Sequence, residues 1–267
     1  DASGVFGALY FFIPSLIIYS TISGLQLREK DAKLRLGLHV FGLSSASHWT
    51  AWNITALVYS IIPSIIFPFF GDFLGLRVFQ NTPYILTFLM FFISSYSMAM
   101  VAFISVTLMT DEKSGQILSY AVILMSVLML IILSNPLTIY FIFFNSGSKE
   151  WVKYVTQLFL CIPSFNFALL FGQFARIACN HFDGEKMMQV SGRKFEWEDL
   201  YIGPTGKFHT GIPYYVPSIF EIFTRILLNL LMYWVVVWYF DHIMPNNRGR
   251  THKALFFLQP TYWFGRC

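Results

Sequence analysis

Apolar runs of membrane length recur through the 267-residue sequence, at about residues 5–24, 49–70, 84–109, 117–138 and 217–240. Each approaches the roughly 20 residues that cross a hydrocarbon core as an α-helix. Lipid offers backbone groups no hydrogen-bond partners, so only helices or closed barrels span it. A barrel would alternate apolar and polar residues in segments of about ten, and that pattern is missing here. The chain therefore reads as an all-α polytopic membrane protein with about five transmembrane helices. Composition agrees. With 56% hydrophobic and only 12% charged residues, there is too little polar surface to clothe a soluble globule. Pro14 is expected to bend the first span, and Pro63 and Pro68 fall in the second, as membrane helices tolerate. Asn135-Pro136 ends the fourth span, leaving residues 137–144 near the far interface.

Charge is concentrated between the first two spans. Arg28, Glu29, Lys30, Asp31, Lys33 and Arg35 crowd one short stretch, while Leu27, Leu34, Leu38 and Phe41 recur at helical spacing. That pattern predicts one amphipathic helix over about 25–47, lying at a membrane-water boundary with its basic side chains reaching out of the apolar layer. On pattern alone, a solvated turn that only fixes topology accounts for it equally well. A second tight polar turn, residues 110–116, carries Glu112 and Lys113.

The pieces 151–160 and 165–175 are each too short to span. Together they predict a re-entrant helical hairpin over 150–175, partly immersed in the outer leaflet. Residues 176–211 are mixed in sign and loop-like, and 241–267 form a polar exit segment. Ser15, Tyr19 and Ser20 in the first span, with Ser119 and Tyr120 in the fourth, are candidates for a substrate path; helix-helix packing is the commoner use of such residues.

Several chemistries are excluded. Residues 203–208 imitate a phosphate-binding loop, but Tyr201 stands where a glycine is needed and no Ser or Thr follows Lys207. Neither a metal cluster nor a nucleophile elbow is present, so no catalytic and no metal-binding residues are assigned. Cys161, Cys179 and Cys267 lack metal-ligand spacing, and a Cys161–Cys179 bridge and free thiols both stay open. A net charge of +4 suits membrane orientation better than a nucleic-acid partner. Glu221 and Arg225, four apart in the last span, are expected to pair. Ionisable residues are otherwise almost missing from the spans, which disfavours an ion-driven carrier and favours work supplied from elsewhere.

Glu29-Lys30-Asp31-Ala32-Lys33-Leu34-Arg35, running into Phe41-Gly42-Leu43, resembles the cytosolic helix of subfamily A ABC transporters, with His39-Val40-Phe41 as a mild departure. Trp197-Glu198-Asp199-Leu200 resembles that family's step before its last span. Trp238-Tyr239-Phe240-Asp241-His242-Ile243-Met244-Pro245, on to Gly249, is similar to its exit, and Pro260-Thr261-Tyr262-Trp263-Phe264-Gly265 to its approach to the nucleotide-binding domain.

The resemblance implies a type V exporter-like fold, with the N-terminus outside and the C-terminus inside. It implies a chain lacking the family's first span, large external domain and nucleotide-binding domain, consistent with a sequence that opens on Asp1. The expected function is the membrane domain of an ATP-driven transporter of lipid or another amphiphile. Arg28, Glu29, Lys30, Asp31, Lys33, Arg35, Glu112 and Lys113 would couple it to nucleotide-binding domains. No cofactor is expected in this chain, ATP and Mg being held by the partner domain. A second transmembrane half and membrane lipids are the other expected partners. The alternative is a non-transporting scaffold subunit of a membrane complex; a membrane enzyme is weaker, for want of clustered catalytic groups.

Overall fold

The computed structural model describes residues 2–109, 111–183, 188–207 and 211–244. The expected exit segment beyond Met244, together with Cys267, lies outside the described residues. In chain order the helices are α1 (Ala2–Asp31), α2 (Leu34–Val40), α3 (Ser45–Phe73), α4 (Arg77–Asn81), α5 (Tyr84–Leu108), α6 (Glu112–Ile132), α7 (Pro136–Phe143), α8 (Glu150–Phe159), α9 (Pro163–Ala178) and α10 (Ile219–Ile243). Among the described residues five are long and apolar enough to cross a membrane: α1, α3, α5, α6 and α10. The chain is an integral, multi-pass membrane protein.

The spans alternate in direction. The α1–α3 and α5–α6 links meet at one end of the bundle, where the charged residues gather. The α3–α5 and α6–α10 connections meet at the other, which also carries two β-hairpins. The most buried of the five spans is α5, which packs against α1, α3, α6, α9 and α10. Its serines hold it there: Ser15 Oγ meets Ser95 Oγ at 3.1 Å, and the Tyr19 hydroxyl meets Ser105 Oγ at 3.1 Å.

Three sequence expectations are corrected. First, the helix expected over 25–47 is broken. α1 runs straight on through Arg28 to Asp31, and at 30 residues it is about 45 Å long, well beyond a hydrocarbon core of roughly 30 Å. The chain then turns at Lys33, whose φ of 53° is left-handed, before α2 begins. α1 packs against α5, and after the Lys33 turn α2 reaches the end of α10 through Arg35. Gly42, with φ 91°, makes the next turn, and Ser44 caps α3 by accepting from Ser47 N.

Second, the expected hairpin of residues 150–175 divides its roles. α8 and α9 meet at a 97° bend. α8 exposes Trp151, Tyr154 and Leu158, as a helix on an apolar boundary does. α9 is enclosed by protein: Phe165, Phe167, Phe171 and Phe174 are fully buried. They extend an aromatic cluster in which Phe11 lies 5.1 Å from Phe79 and 5.5 Å from Phe171. A glycine admits one ring, since a Cβ on Gly7 would stand 2.3 Å from Phe171 Cζ. The phenylalanines of α9 are core.

Third, the stretch 176–211 is partly ordered as sheet. β1 (His181–Asp183) pairs antiparallel with β2 (Met188–Val190), and β3 (Thr205–Lys207) with β4 (Pro213–Tyr215). A 3-10 turn over Trp197–Leu200 lies between the hairpins, capped reciprocally by Glu196 and Asp199. Backbone bonds from Arg193 N to Ile177 O and Phe195 N to Asn81 O anchor the segment to α9 and α4.

Candidate functional site

Five chain segments converge at the charged end. The last turn of α1 contributes Lys30, whose ammonium donates to the carbonyls of Val106, at 2.8 Å, and Met109. Those acceptors belong to the C-terminal end of α5, where helix carbonyls lack intrahelical partners and attract cations. Lys30 thus caps α5 from outside. Glu29, on the same turn, accepts from Trp52 Nε1 of α3 at 3.0 Å and faces His48 Nδ1 at 3.7 Å.

Arg35 on α2 makes a two-pronged bond to Asp241 near the end of α10, Nη1 to Oδ1 at 2.7 Å and Nη2 to Oδ2 at 2.9 Å. Fork-to-fork geometry makes this the strong form of the contact. Trp49 Nε1 also donates to Asp241 Oδ2 at 3.1 Å, and the guanidinium lies 5.5 Å from the Trp49 ring centroid. The pair is shielded, with side chains 16% and 4% exposed. Beside it lies a cavity of about 50 Å³ lined by Gln26, Lys30, Arg35 and Trp49 among others. Arg35 Nε and both polar atoms of the Gln26 amide are buried there without a protein partner, in a space large enough for water.

Compared with known families, the sequence matches the ABC-2 family transporter protein family over residues 2–240. The chain belongs to that family. Curated relatives of this ABC-2 domain include ABC transporter A family member 1 of Dictyostelium discoideum, 25% identical over 98% of this chain and 29% of that protein. ABC transporter A family members 9 and 11 of Arabidopsis thaliana are each 22% identical over 97% and 100% of this chain, respectively. The chain spans 25–29% of the length of these relatives.

The expected coupling residues do not all enter the knot. Lys30 and Arg35 are its centre, and Glu29 is its flank. Arg28 reaches Glu112 only at 4.0 Å, with Arg28 largely in solvent, a contact of little energetic weight. Asp31, Lys33 and Lys113 are exposed on the outer surface. With them stand the unpartnered apolar side chains Leu34, Leu38, Val40 and Phe41, the last 90% exposed.

Of the candidate path residues in this ABC-2 domain, Ser15, Tyr19 and Ser119 face the interior and pair across helices, Ser119 Oγ meeting Ser23 Oγ at 3.3 Å. Ser20 and Tyr120 face outward. The Glu221–Arg225 pair does not form. Glu221 sits three residues after the N-cap Ser218 and closes a capping box with it, while Arg225 Nη1 donates to Gln157 of α8 at 2.9 Å. Cys161 and Cys179 are not bridged to each other. Of the residues that imitate a phosphate loop, Thr205–Lys207 are strand β3; Phe208 lies outside the described residues.

Sequence reasoning missed Asp241 and Trp49 as site residues. Asp241 stood in a recognised motif, yet its partner lies 206 positions upstream, and no local pattern joins them. The available signal was a lone carboxylate closing an apolar span, which needs a cation nearby.

Proposed function

We propose that this chain is the membrane domain of an ATP-driven transporter that moves lipid or another amphiphile, driven by nucleotide-binding domains that dock on the charged end from the cytosol. The family supplies the transport role. The carrying observation for the coupling is the knot of Lys30, Arg35 and Asp241, which ties the α1 extension and α2 to the ends of α5 and α10. A push on the exposed apolar surface of α2 and the turn after it, at Leu38 and Phe41, would be carried by the Arg35–Asp241 fork into α10 and by Lys30 into α5. ATP and Mg²⁺ belong to the docked domain, and the chain's own residues receive force.

The amphiphile part of the reading is supported by the outward faces of the spans, where Ile17, Ile61, Leu124, Leu128 and Leu231 offer tails an apolar surface, while hydroxyls such as Ser20 stand among them. A second transmembrane half would cover part of that surface. In the full-length transporter, replacing Glu29 by Gln and Asp31 by Asn should leave basal ATP hydrolysis in place and lower lipid movement per ATP at least fivefold. Unchanged lipid movement per ATP in reconstituted vesicles would remove the coupling role of this end.

A further inference from the structure

We propose that the cavity at the hairpin end of the bundle binds the phosphate group of a phospholipid headgroup, with Arg176 as its cationic anchor. The occasion for such binding rests on the transport reading above, but the residues are separate from the knot.

The cavity measures about 340 Å³ and lies between the last turn of α9, the two β-hairpins and the start of α10, with Gln173, Arg176, His181, Arg193, Thr205 and Ile219 in its wall. That is within the range of about 300–1,000 Å³ typical of small-molecule sites. Arg176 is the unusual group. Its Nη1 is shut off from solvent and has no hydrogen-bond partner. Among the described residues it forms no ion pair with a carboxylate. The guanidinium lies 5.8 Å from the Tyr140 ring centroid, and Tyr140 stacks on Tyr214 at 5.5 Å. Those rings attract the cation and their hydroxyls stand near the guanidinium, while Nη1 itself keeps no hydrogen bond.

Arg176 is half-buried, and a partly desolvated charge without a counter-ion gains when an opposite charge completes it. A guanidinium fork matches an oxyanion that presents two acceptors. Arg193 adds a second guanidinium at the rim, fixed by a two-pronged bond to Asp199 in which Nη1 donates to Oδ2 at 2.9 Å. Arg193 also lies 3.6 Å from Glu196, so its charge is met by carboxylates, and among the described lining residues Arg176 is the guanidinium left to take an anion.

A lipid, in preference to a soluble phosphate, follows from the border of the cavity. Ile177, Ile202 and Ile219 are in its wall. Next to them Trp197, Tyr201 and Ile202 are each more than 60% exposed, and Tyr201 packs on the half-exposed Phe220 with ring centroids 5.3 Å apart. A cationic, anion-binding pocket beside an exposed aromatic skirt suits a headgroup with its tails still attached.

The test uses the full-length transporter in detergent and three probes: dioctanoyl-phosphatidylglycerol, dioctanoylglycerol and glycerol 3-phosphate. Saturable binding of the phospholipid is expected, at least tenfold tighter than either the phosphate-free lipid or the tail-free phosphate. Arg176→Gln should weaken phospholipid binding at least tenfold while melting no lower than wild type in lipid-free detergent, because it removes an uncompensated charge. Equal binding of dioctanoylglycerol, or an unchanged affinity in the variant, overturns the proposal. Glycerol 3-phosphate binding as tightly as the lipid overturns the lipid assignment in favour of a soluble anion. A variant that melts far lower and keeps its lipid-induced shift makes Arg176 purely structural. Should Arg176→Gln fail to fold, the three-probe comparison on wild type decides by itself. Failure of wild type to move lipid with ATP would overturn the transport reading and leave this binding result standing.

Discussion

The Asp241 side chain is 4% exposed and, among the described residues, accepts two hydrogen bonds from Arg35 and one from Trp49. Removing its charge strands the Arg35 guanidinium in a shielded place, and breaking such a pair costs about 3–5 kcal/mol. Asp241→Asn is therefore expected to lower the melting temperature of the purified protein sharply. Adding Arg35→Gln to it should recover part of that loss, a sign of direct coupling that thermal melts of the four proteins would read. Lys30 is a second single-residue test. Lys30→Met keeps the length and apolar stem but leaves the Val106 and Met109 carbonyls without their cation, a loss of about 2 kcal/mol. Both residues were visible in the sequence as charges. Their roles were not, because each acts on an element brought near only by the fold.

At the scale of elements, small residues set how closely the helices approach. A Cβ on Gly115 of α6 would stand 2.3 Å from Leu27 Cδ2 of α1. Leu27 is a flexible side chain and yields in part, so Gly115→Ala should cost about 1–3 kcal/mol. Leu27→Ala in the same protein should return most of it, giving a double variant more stable than the sum of the single losses predicts. The break between α1 and α2 is equally specific. At Lys33 the backbone is left-handed, a conformation that β-branched residues resist by about 1–2 kcal/mol. Lys33→Gly should be tolerated and Lys33→Ile should not, with urea or thermal unfolding as the measure.

The spans were legible because about 20 apolar residues have few other uses. The fate of α9 was not. Its Phe-rich run has the same composition whether it faces lipid or protein, and only its neighbours Phe11, Phe79 and Phe91 decide. Glu221 misled for a related reason: a spacing of four allows a pair with Arg225, but the local capping bond to Ser218 claims the carboxylate first.

For the whole molecule, the arrangement has two chemically different ends. One carries the knot and the bare apolar face of α2; the other carries α8, the hairpins and the Arg176 cavity. Five alternating spans put these on opposite sides of a membrane. Phe41→Cys and Tyr215→Cys, each at an exposed position, should therefore be labelled from opposite sides by a membrane-impermeant thiol reagent, with Phe41→Cys reached from the cytosolic side. In the proposed mechanism force enters at α2 and passes to α10 through the Arg35–Asp241 fork. The most direct measurement is lipid movement per ATP hydrolysed in reconstituted full-length transporter carrying Arg35→Asp, Asp241→Arg, or both. The account predicts hydrolysis with little transport in each single variant and recovered transport in the charge-swapped pair. Full transport per ATP in both single variants would contradict it.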